Sequence, residues 1–448
     1  MVAVDVSGGH DQNGRYIADF AGPTGIWQRI ELACAVCAVF LSAMNFLRTN
    51  MFYFTLSDLL FCIAIGLRVF TGGLPLRLWG RASATVWLCG LLLLCAGLMA
   101  SSLVSTAPVR GIVIVGQYLF AYLVIALAIC GRDLRTMWIF ARAYVFSIFL
   151  MCLHGIYLIH IDGQKNTDFV SGNGRLTGFV ERENECAAVV ALAMPILMLL
   201  ASRGKVGKVY ATILGVTMAY GILLTGSNTG LVGFAFALLG FMVLSGNWKF
   251  VVVALASSLP FVLWIVHSGR DYLPVVFQKR VLGALETGDL SLAGSFDHRV
   301  ELIHEALRRL HDHMWIGLGA DQYQVASVAG QPVHNLYLLL ATEGGIIAAI
   351  GFVTMIAAAF QPIARTFRTP GGATYAACAL VSVSMFALMA NAFPHLYGRF
   401  WTVPVVLTLG LATSYCGALK NRRTGNRALY ERSGHDAGSK YKLSSVRQ

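Results

Sequence analysis

Long apolar runs separated by short polar segments make up most of this 448-residue chain. A helix needs about 20 apolar residues to cross the hydrocarbon core of a bilayer, and about twelve runs reach or approach that length. The pattern therefore predicts an all-α polytopic membrane protein. The predicted spans are Ile30–Phe46, Tyr53–Phe70, Ala84–Val104, Gly111–Cys130, Trp138–His160, Cys186–Ala201, Val209–Leu224, Gly230–Leu244, Phe250–Val266, Asn335–Phe360, Ala373–Phe393 and Trp401–Leu419.

Composition agrees with this class. Hydrophobic residues make up 57% of the chain and charged residues only 12%, and the mean hydropathy of +0.67 excludes a soluble domain of this length. Residues 1–25 lack the apolar core of a cleavable signal peptide. All the cysteines lie in or beside apolar runs, so we expect no structural disulfide.

Charges in the short loops set the expected orientation. With the N-terminus in the cytoplasm, the basic groups near Arg77, Arg132 and Arg203 all face inward. We therefore expect five parts: a cytoplasmic segment (residues 1–29), the first nine spans (30–268), a large outer loop that contains short helices (269–334), the last spans (335–419) and a basic, disordered cytoplasmic tail (420–448).

Polar residues collect in the loops of the outer face, where we expect the chemistry to lie. The 269–334 loop is rich in arginine and histidine against the positive-inside trend, and such a surplus of cations indicates a bound anion such as a lipid diphosphate. Long loops also cross membranes regardless of charge, so a surface role for any one arginine stays open. The candidates are Arg175, Arg182 and Arg299, with Ser227, His395 and Arg399 as secondary candidates.

Residues 295–310 have the spacing of an amphipathic helix within this loop. Arg299 lies in its first turn, where backbone amides also attract a phosphate. Pairing of Arg299 with a neighbouring carboxylate such as Glu301 is the alternative. Among the three arginines, we expect Arg299 to be the most important for anion binding. Arg182 is the most suited to a structural ion pair, because carboxylates such as Glu183 flank it.

His334 directly precedes the tenth span, at the boundary between the outer loop and the membrane. An imidazole titrates near neutral pH, so His334 is the candidate general base, with Asn335 beside it as a secondary candidate. A helix-capping histidine is the alternative. On a continuous helix, Glu343 would lie about 13 Å deeper on nearly the opposite face. We therefore expect it to pair with a neighbouring helix, to which Gly344 and Gly345 allow a close approach.

Three runs follow one another through the outer loop: R-V-E-L-I-H-E-A-L from Arg299, W-I-G-L-G-A-D-Q-Y from Trp315 and V-H-N-L-Y-L-L-L-A-T-E-G-G from Val333. Together with the earlier R-L-T-G-F run from Arg175, their order and sidedness resemble the O-antigen ligase and Wzy-type polymerase superfamily. The resemblance covers residues 174–350 and the overall hydropathy. Members of the superfamily often have Ser-Arg after the seventh helix, whereas this chain has Ser-Asn, so that arginine contact is absent or supplied elsewhere.

The resemblance implies a GT-C-like fold in the bacterial inner membrane with a periplasmic active site. The implied activity is metal-independent, inverting transfer of a glycan from undecaprenyl diphosphate, without a cofactor. In that mechanism Arg175, Arg182 and Arg299 stabilise the departing diphosphate and His334 deprotonates the acceptor hydroxyl. The implied partners are the lipid-linked donor, a glycan or lipid A core acceptor, membrane lipid, and flippase and chain-length regulator proteins. No nucleic-acid partner is expected.

Three functions fit this pattern to different degrees. A polymerase joins the donor chain to another lipid-linked unit, and the stretch from Arg175 to Asn184 favours this reading for an exopolysaccharide or O-antigen. A ligase, which joins the glycan to lipid A core, is the alternative. A transporter or flippase would also have many helices, but the chain shows no convincing repeat and its polar groups do not gather at the midplane.

We expect glycan transfer to survive EDTA, because arginines rather than a divalent cation would neutralise the departing diphosphate. The chain contains no Asp-x-Asp run of the kind that binds metal-nucleotide complexes. The measurement is turnover of lipid-linked glycan by purified protein, with and without chelator. Complete loss of turnover that Mg²⁺ or Mn²⁺ restores would contradict the arginine mechanism.

Overall fold

The computed structural model describes residues 25–45, 54–75, 78–246, 273–288 and 296–443, with side chains to residue 421 except at 284–285 and 296–297. Helices joined by loops make up this part of the chain. Short helical turns also occupy 275–287 and Tyr323–Ala326. The main helices are α1 (Ile26–Leu41), α2 (Leu56–Phe70), α3 (Arg81–Leu103), α4 (Pro108–Ile129), α5 (Leu134–His160), α6 (Glu183–Ser202), α7 (Lys208–Thr225), α8 (Asn228–Leu244), α9 (Phe296–Asp312), α10 (Leu336–Ala358), α11 (Phe360–Phe367), α12 (Ala373–Met389) and α13 (Arg399–Leu443).

The predicted all-α polytopic membrane fold is confirmed. Within the described ranges, 7 helical stretches are long and apolar enough to cross a membrane, and α8 and α12 are shorter apolar helices. Each predicted span has a matching helix within a few residues, except the ninth, Phe250–Val266, which lies outside the described residues. The total of twelve spans therefore stays a prediction.

Glycines bring α3 and α10 into close backbone contact. A Cβ added at Gly97 would lie 2.6 Å from the carbonyl oxygen of Gly344, and one added at Gly90 would lie 2.7 Å from that of Gly351. In a membrane, where lipid is as apolar as the side chains, helices associate through such close packing of small residues. This contact fixes the position of α10, which His334 and Asn335 directly precede.

The loops expected on the outer face all meet at one end of the helices, which we call the loop end. Its described segments are parts of 42–55, 104–107, 161–182, 226–227, 273–335 and 390–398. Three backbone hydrogen bonds join them: Asn45 N–H to Phe179 O (2.7 Å), Leu176 N–H to Leu224 O (3.0 Å) and Leu336 N–H to Ala390 O (2.7 Å). At the opposite end, Arg132 pairs with Glu31, and Arg68 donates to the carbonyl of Leu127 at 2.6 Å.

α10 is broken at Gly345, whose backbone angles (φ 71°, ψ 173°) lie outside the helical region. The outer-loop segment 314–323 fills the break. A Cβ at Gly345 would lie 2.3 Å from the carbonyl oxygen of Trp315, and one at Gly317 would lie 2.2 Å from that of Glu343. Three backbone hydrogen bonds of 2.9 Å hold the segment in place: Leu318 N–H to Thr342 O, Gly319 N–H to Glu343 O and Ile346 N–H to Met314 O.

The expected pairing of Glu343 with a neighbouring helix is wrong. Its buried carboxylate accepts hydrogen bonds from the backbone amides of Asp321 and Tyr323, the latter at 3.1 Å. On a continuous helix Glu343 would face a neighbouring helix, whereas the break at Gly345 lets the outer loop reach the carboxylate instead. Two amide donors offset much of the cost of burying this group.

The tail that was expected to be disordered has a helical backbone, because α13 continues as far as Leu443. No proline interrupts residues 420–443, and the lysine, arginine, alanine and leucine residues there are good helix formers. The basic character of the tail therefore did not prevent helix formation.

We expect Gly345→Ala to lower the free energy of unfolding by roughly 1–3 kcal/mol, because alanine disfavours a positive φ and its methyl group would meet the Trp315 carbonyl. The measurement is thermal unfolding of the purified protein in detergent. Gly116→Ala in α4 is the control, since a Cβ there meets nothing within 4 Å. Equal melting temperatures for the two variants would show that the break tolerates a side chain.

Candidate functional site

His334 lies at the loop end, next to the residue that caps α10. That cap is Asn335, whose Oδ1 accepts from the Leu338 amide at 3.0 Å and whose Nδ2 donates to Asn391 Oδ1 at 3.3 Å. The capping role considered as the alternative for His334 therefore belongs to Asn335. Among the described residues, no hydrogen bond involves the His334 ring. The half-buried imidazole is available to a substrate.

The surroundings of His334 keep it uncharged at neutral pH. Burial, followed by the charges of Arg299, Arg182 and His298, lowers the pKa of His334 to about 4. These neighbours come from different elements, since Arg182 precedes α6 whereas His298 and Arg299 lie in the first turn of α9. The fold thus collects cations from distant parts of the sequence around one imidazole that can accept a proton.

His395 belongs to the same group of residues. It lies between α12 and α13 with its ring beside Tyr397, at 5.5 Å between centroids. Burial, followed by the charges of Arg182, His334 and Arg110, lowers the pKa of His395 to about 4. The charge of Arg182 therefore acts on both the secondary candidate His395 and the candidate base His334. We call Arg182, His298, Arg299, His334 and His395 the cation–imidazole cluster.

The predicted amphipathic helix around Arg299 is confirmed as α9, and its inner face is held firmly. Buried Tyr323 packs against Leu302 and donates its hydroxyl to the Leu302 carbonyl at 3.1 Å. Glu305 accepts from the Val328 amide at 3.0 Å. These contacts fix the height and rotation of α9 and, with them, the position of Arg299.

Arg299 keeps its charge available for a ligand. Glu301, its expected alternative partner, pairs instead with His298 at 3.7 Å. Where the structure places side chains, no ion pair involves Arg299. Burial and the nearby charge of Arg280 lower the pKa of Arg299. Two guanidinium groups close enough to affect one another favour an anion bound between them.

Arg175 and Arg182 differ from expectation in their contacts. Buried Arg175 donates to the Thr225 carbonyl at 2.7 Å and to Asn184 Oδ1 at 3.1 Å, and it pairs with Glu183 at 3.6 Å. Arg182 is exposed, and no ion pair of its guanidinium is present in the described ranges. The prediction failed because α6 begins at Glu183, which directs this carboxylate toward Arg175 rather than toward its sequence neighbour.

Two secondary candidates have structural roles. Ser227 is the N-cap of α8, where its hydroxyl accepts from the Gly230 amide at 3.2 Å. Arg399 is buried, pairs with Asp58 at 3.3 Å and donates to Asn45 Oδ1 at 2.8 Å. A role of either side chain in diphosphate binding stays a prediction.

Arg280 was not among the candidates taken from the sequence. Its Cδ lies 3.7 Å from the position of a Cβ built on Gly226, in the turn after α7. Its charge lowers the pKa of both Arg175 and Arg299. Arg280 thus places a cation beside the turn that lacks the superfamily's usual arginine. Only its position in a basic stretch of the outer loop could have indicated this role.

The part of the chain that carries this site is similar to known proteins. Residues 213–353, which include Arg299 and His334, match the family model described as O-Antigen ligase (Wzy_C). The resemblance to the O-antigen ligase and Wzy-type superfamily is confirmed. The chain is also 32% identical over 143 residues to an O-antigen ligase of Pseudomonas aeruginosa strain PAO1, and that match covers 31% of this chain and 31% of the relative.

We expect Arg175→Ala to lower stability and Arg182→Ala to lower activity. Removing Arg175 leaves buried acceptors unpaired and should lower the free energy of unfolding by roughly 1–3 kcal/mol. Removing Arg182 should leave stability unchanged and lower turnover of lipid-linked glycan about 10²- to 10³-fold. The measurements are thermal unfolding and turnover, with Arg308→Ala on the exposed face of α9 as the control. A stable, inactive Arg175→Ala protein would reverse this assignment.

Proposed function

We propose that this protein transfers a glycan from a lipid diphosphate to an acceptor hydroxyl, as an O-antigen ligase in bacterial cell-surface polysaccharide biosynthesis. The observation that carries the proposal is the setting of His334, a neutral imidazole without a hydrogen-bond partner in the described ranges, among cations from separate elements. A diphosphate ester is a substrate that needs both a proton acceptor and a cationic site for its leaving group.

In the proposed reaction the acceptor oxygen attacks the anomeric carbon of the glycan. A bond forms between that oxygen and that carbon, the bond from the carbon to the phosphate oxygen breaks, and the lipid diphosphate departs with the electron pair. His334 takes the proton of the acceptor hydroxyl. Arg182 and Arg299, assisted by Arg280, stabilise the charge on the departing diphosphate without a metal. Attack opposite the leaving group inverts the anomeric centre.

Donor binding should make His334 a better base. In the free protein the charges of Arg299 and Arg182 oppose protonation of the ring. A diphosphate offsets those charges, so the pKa of His334 rises toward the range suited to general-base catalysis once the donor is bound. The base is then strongest when its substrate is in place, which limits proton uptake by the empty site.

The ligase replaces the polymerase as the first choice. The family description and the name of the curated relative both favour a ligase, whereas the polymerase reading rested on the short stretch before α6. The proposed partners are an undecaprenyl-diphosphate-linked glycan and lipid A core, at the periplasmic face of the inner membrane. The grouping of the functional side chains at the loop end, away from the midplane, favours an enzyme over a transporter.

One reconstitution experiment separates these functions. Purified protein in nanodiscs is given lipid-linked glycan together with lipid A core, without an ion gradient. A ligase produces glycan-bearing lipid A core, a polymerase lengthens the lipid-linked glycan, and a transporter leaves both lipids chemically unchanged. Longer lipid-linked glycan without any lipid A product would return the assignment to a polymerase.

We expect His334→Ala to lower turnover about 10²- to 10⁴-fold, because the acceptor proton loses its base. Donor binding and thermal stability should stay close to those of the parent protein, since the half-buried ring has no hydrogen bond to lose within the described ranges. His313→Ala, at an exposed histidine that follows α9, is the matched control. Near-parental turnover by the His334 variant would rule out its role as the base.

A further inference from the structure

The outer-loop segment that fills the break in α10 exposes large apolar side chains. Trp315 is 71% exposed, Ile316 is 58% exposed and Met314 beside them is 41% exposed. Aromatic and branched aliphatic side chains rarely cluster on a surface that faces water without a partner. The nature of that partner follows from the depth at which the segment lies.

Two membrane helices give this depth. The break lies nine residues after Leu336, which corresponds to about 14 Å along α10 from the loop end. It is level with Gly97 of α3, six residues before Leu103, which corresponds to about 9 Å from the end of that helix. Half of a bilayer's hydrocarbon core is about 15 Å thick. Segment 314–317 therefore lies well below the helix ends, within the apolar layer.

The backbone of the segment meets the requirement for irregular structure at such a depth. Non-helical backbone is tolerated inside a membrane only where protein groups satisfy its amides and carbonyls. The Met314 carbonyl accepts from the Ile346 amide, and the next two amides after Gly317 donate to carbonyls of the broken helix. The side chains of Trp315 and Ile316 stay uncovered while the backbone makes these contacts.

The exposed residues continue a lipid-facing surface. Ile347, Ile350 and Val353 are exposed at helical spacing on α10, a helix long and apolar enough to cross the membrane. Hydrocarbon is the environment that suits such side chains on a helix that crosses the membrane. Trp315 and Ile316 lie beside the start of this stripe, since Gly345 contacts the Trp315 carbonyl.

We propose that Met314–Gly317 is a re-entrant segment immersed in the half of the bilayer next to the loop end, with Trp315 and Ile316 in contact with lipid acyl chains. The outer loop is thus anchored in the membrane at Met314–Gly317 as well as at α10, which follows it. Indole rings suit this position, because tryptophan favours the region where the apolar layer meets the headgroups.

Tryptophan quenching in nanodiscs tests the proposal without depending on enzymatic activity. The emission of Trp315 is the difference between the parent protein and Trp315→Phe. Brominated acyl chains should remove most of that emission, and aqueous iodide should remove little. Val328→Trp is the matched control on the same loop, because Val328 is 94% exposed; its added emission should respond to iodide and not to brominated lipid.

A second tryptophan position shows whether the Trp315→Phe change has itself affected folding. Ile316→Trp in the Trp315→Phe background should restore emission that brominated lipid quenches. Quenching of Trp315 by iodide to the same extent as Val328→Trp would place the segment in water and overturn the proposal. Protection from both quenchers would also overturn it, because a protein surface rather than lipid would then cover the segment.

Discussion

The insertion of the outer loop into the broken helix α10 is the contact on which the rest of the site depends. Gly345 opens the helix and Gly317 lets the loop enter, and neither position has room for a Cβ. The carboxylate of Glu343 then accepts hydrogen bonds from the backbone amides of Asp321 and Tyr323. These contacts therefore connect α10 to the loop segment 314–323, which leads on toward His334.

The second constraint is electrostatic, because the site holds Arg182 and Arg299 close to His334 and, in the described ranges, neither guanidinium group forms an ion pair. Arg280 lowers the pKa of Arg299, and cations also lower those of His334 and His395. The carboxylates nearby are used elsewhere, for example Glu183 by Arg175. Such an arrangement is unfavourable by itself and becomes favourable when a multivalent anion binds. Under the proposed function, the stability lost through this repulsion in the empty site would contribute to the binding of the diphosphate donor.

Sequence periodicity predicted the helices well, because membrane spans and the amphipathic α9 have simple local signals. It also placed His334 and Arg299 correctly beside the starts of two helices, α10 and α9, while their roles stay predictions. It did not predict the partners of buried charged side chains, because these depend on which groups the fold brings close together. Glu183 reaches Arg175 instead of Arg182, and a loop reaches Glu343 before any helix does. Neighbours in sequence are a poor guide to neighbours in space for long, charged side chains.

Tyr323 links α10 to α9 through two hydrogen bonds, and this link affects how the site would recognise the proposed substrate. Its amide is bound to Glu343 within the membrane and its hydroxyl to Leu302 of α9, so the helix that carries Arg299 stands at a set height above the lipid. A lipid-linked substrate is positioned by its own hydrocarbon anchor, which fixes the height of its diphosphate in the same frame. Under the proposed function, the site would select the height of the junction between the lipid and the first sugar. Glycans of very different lengths present that junction identically, so the same geometry would serve a short chain and a long one.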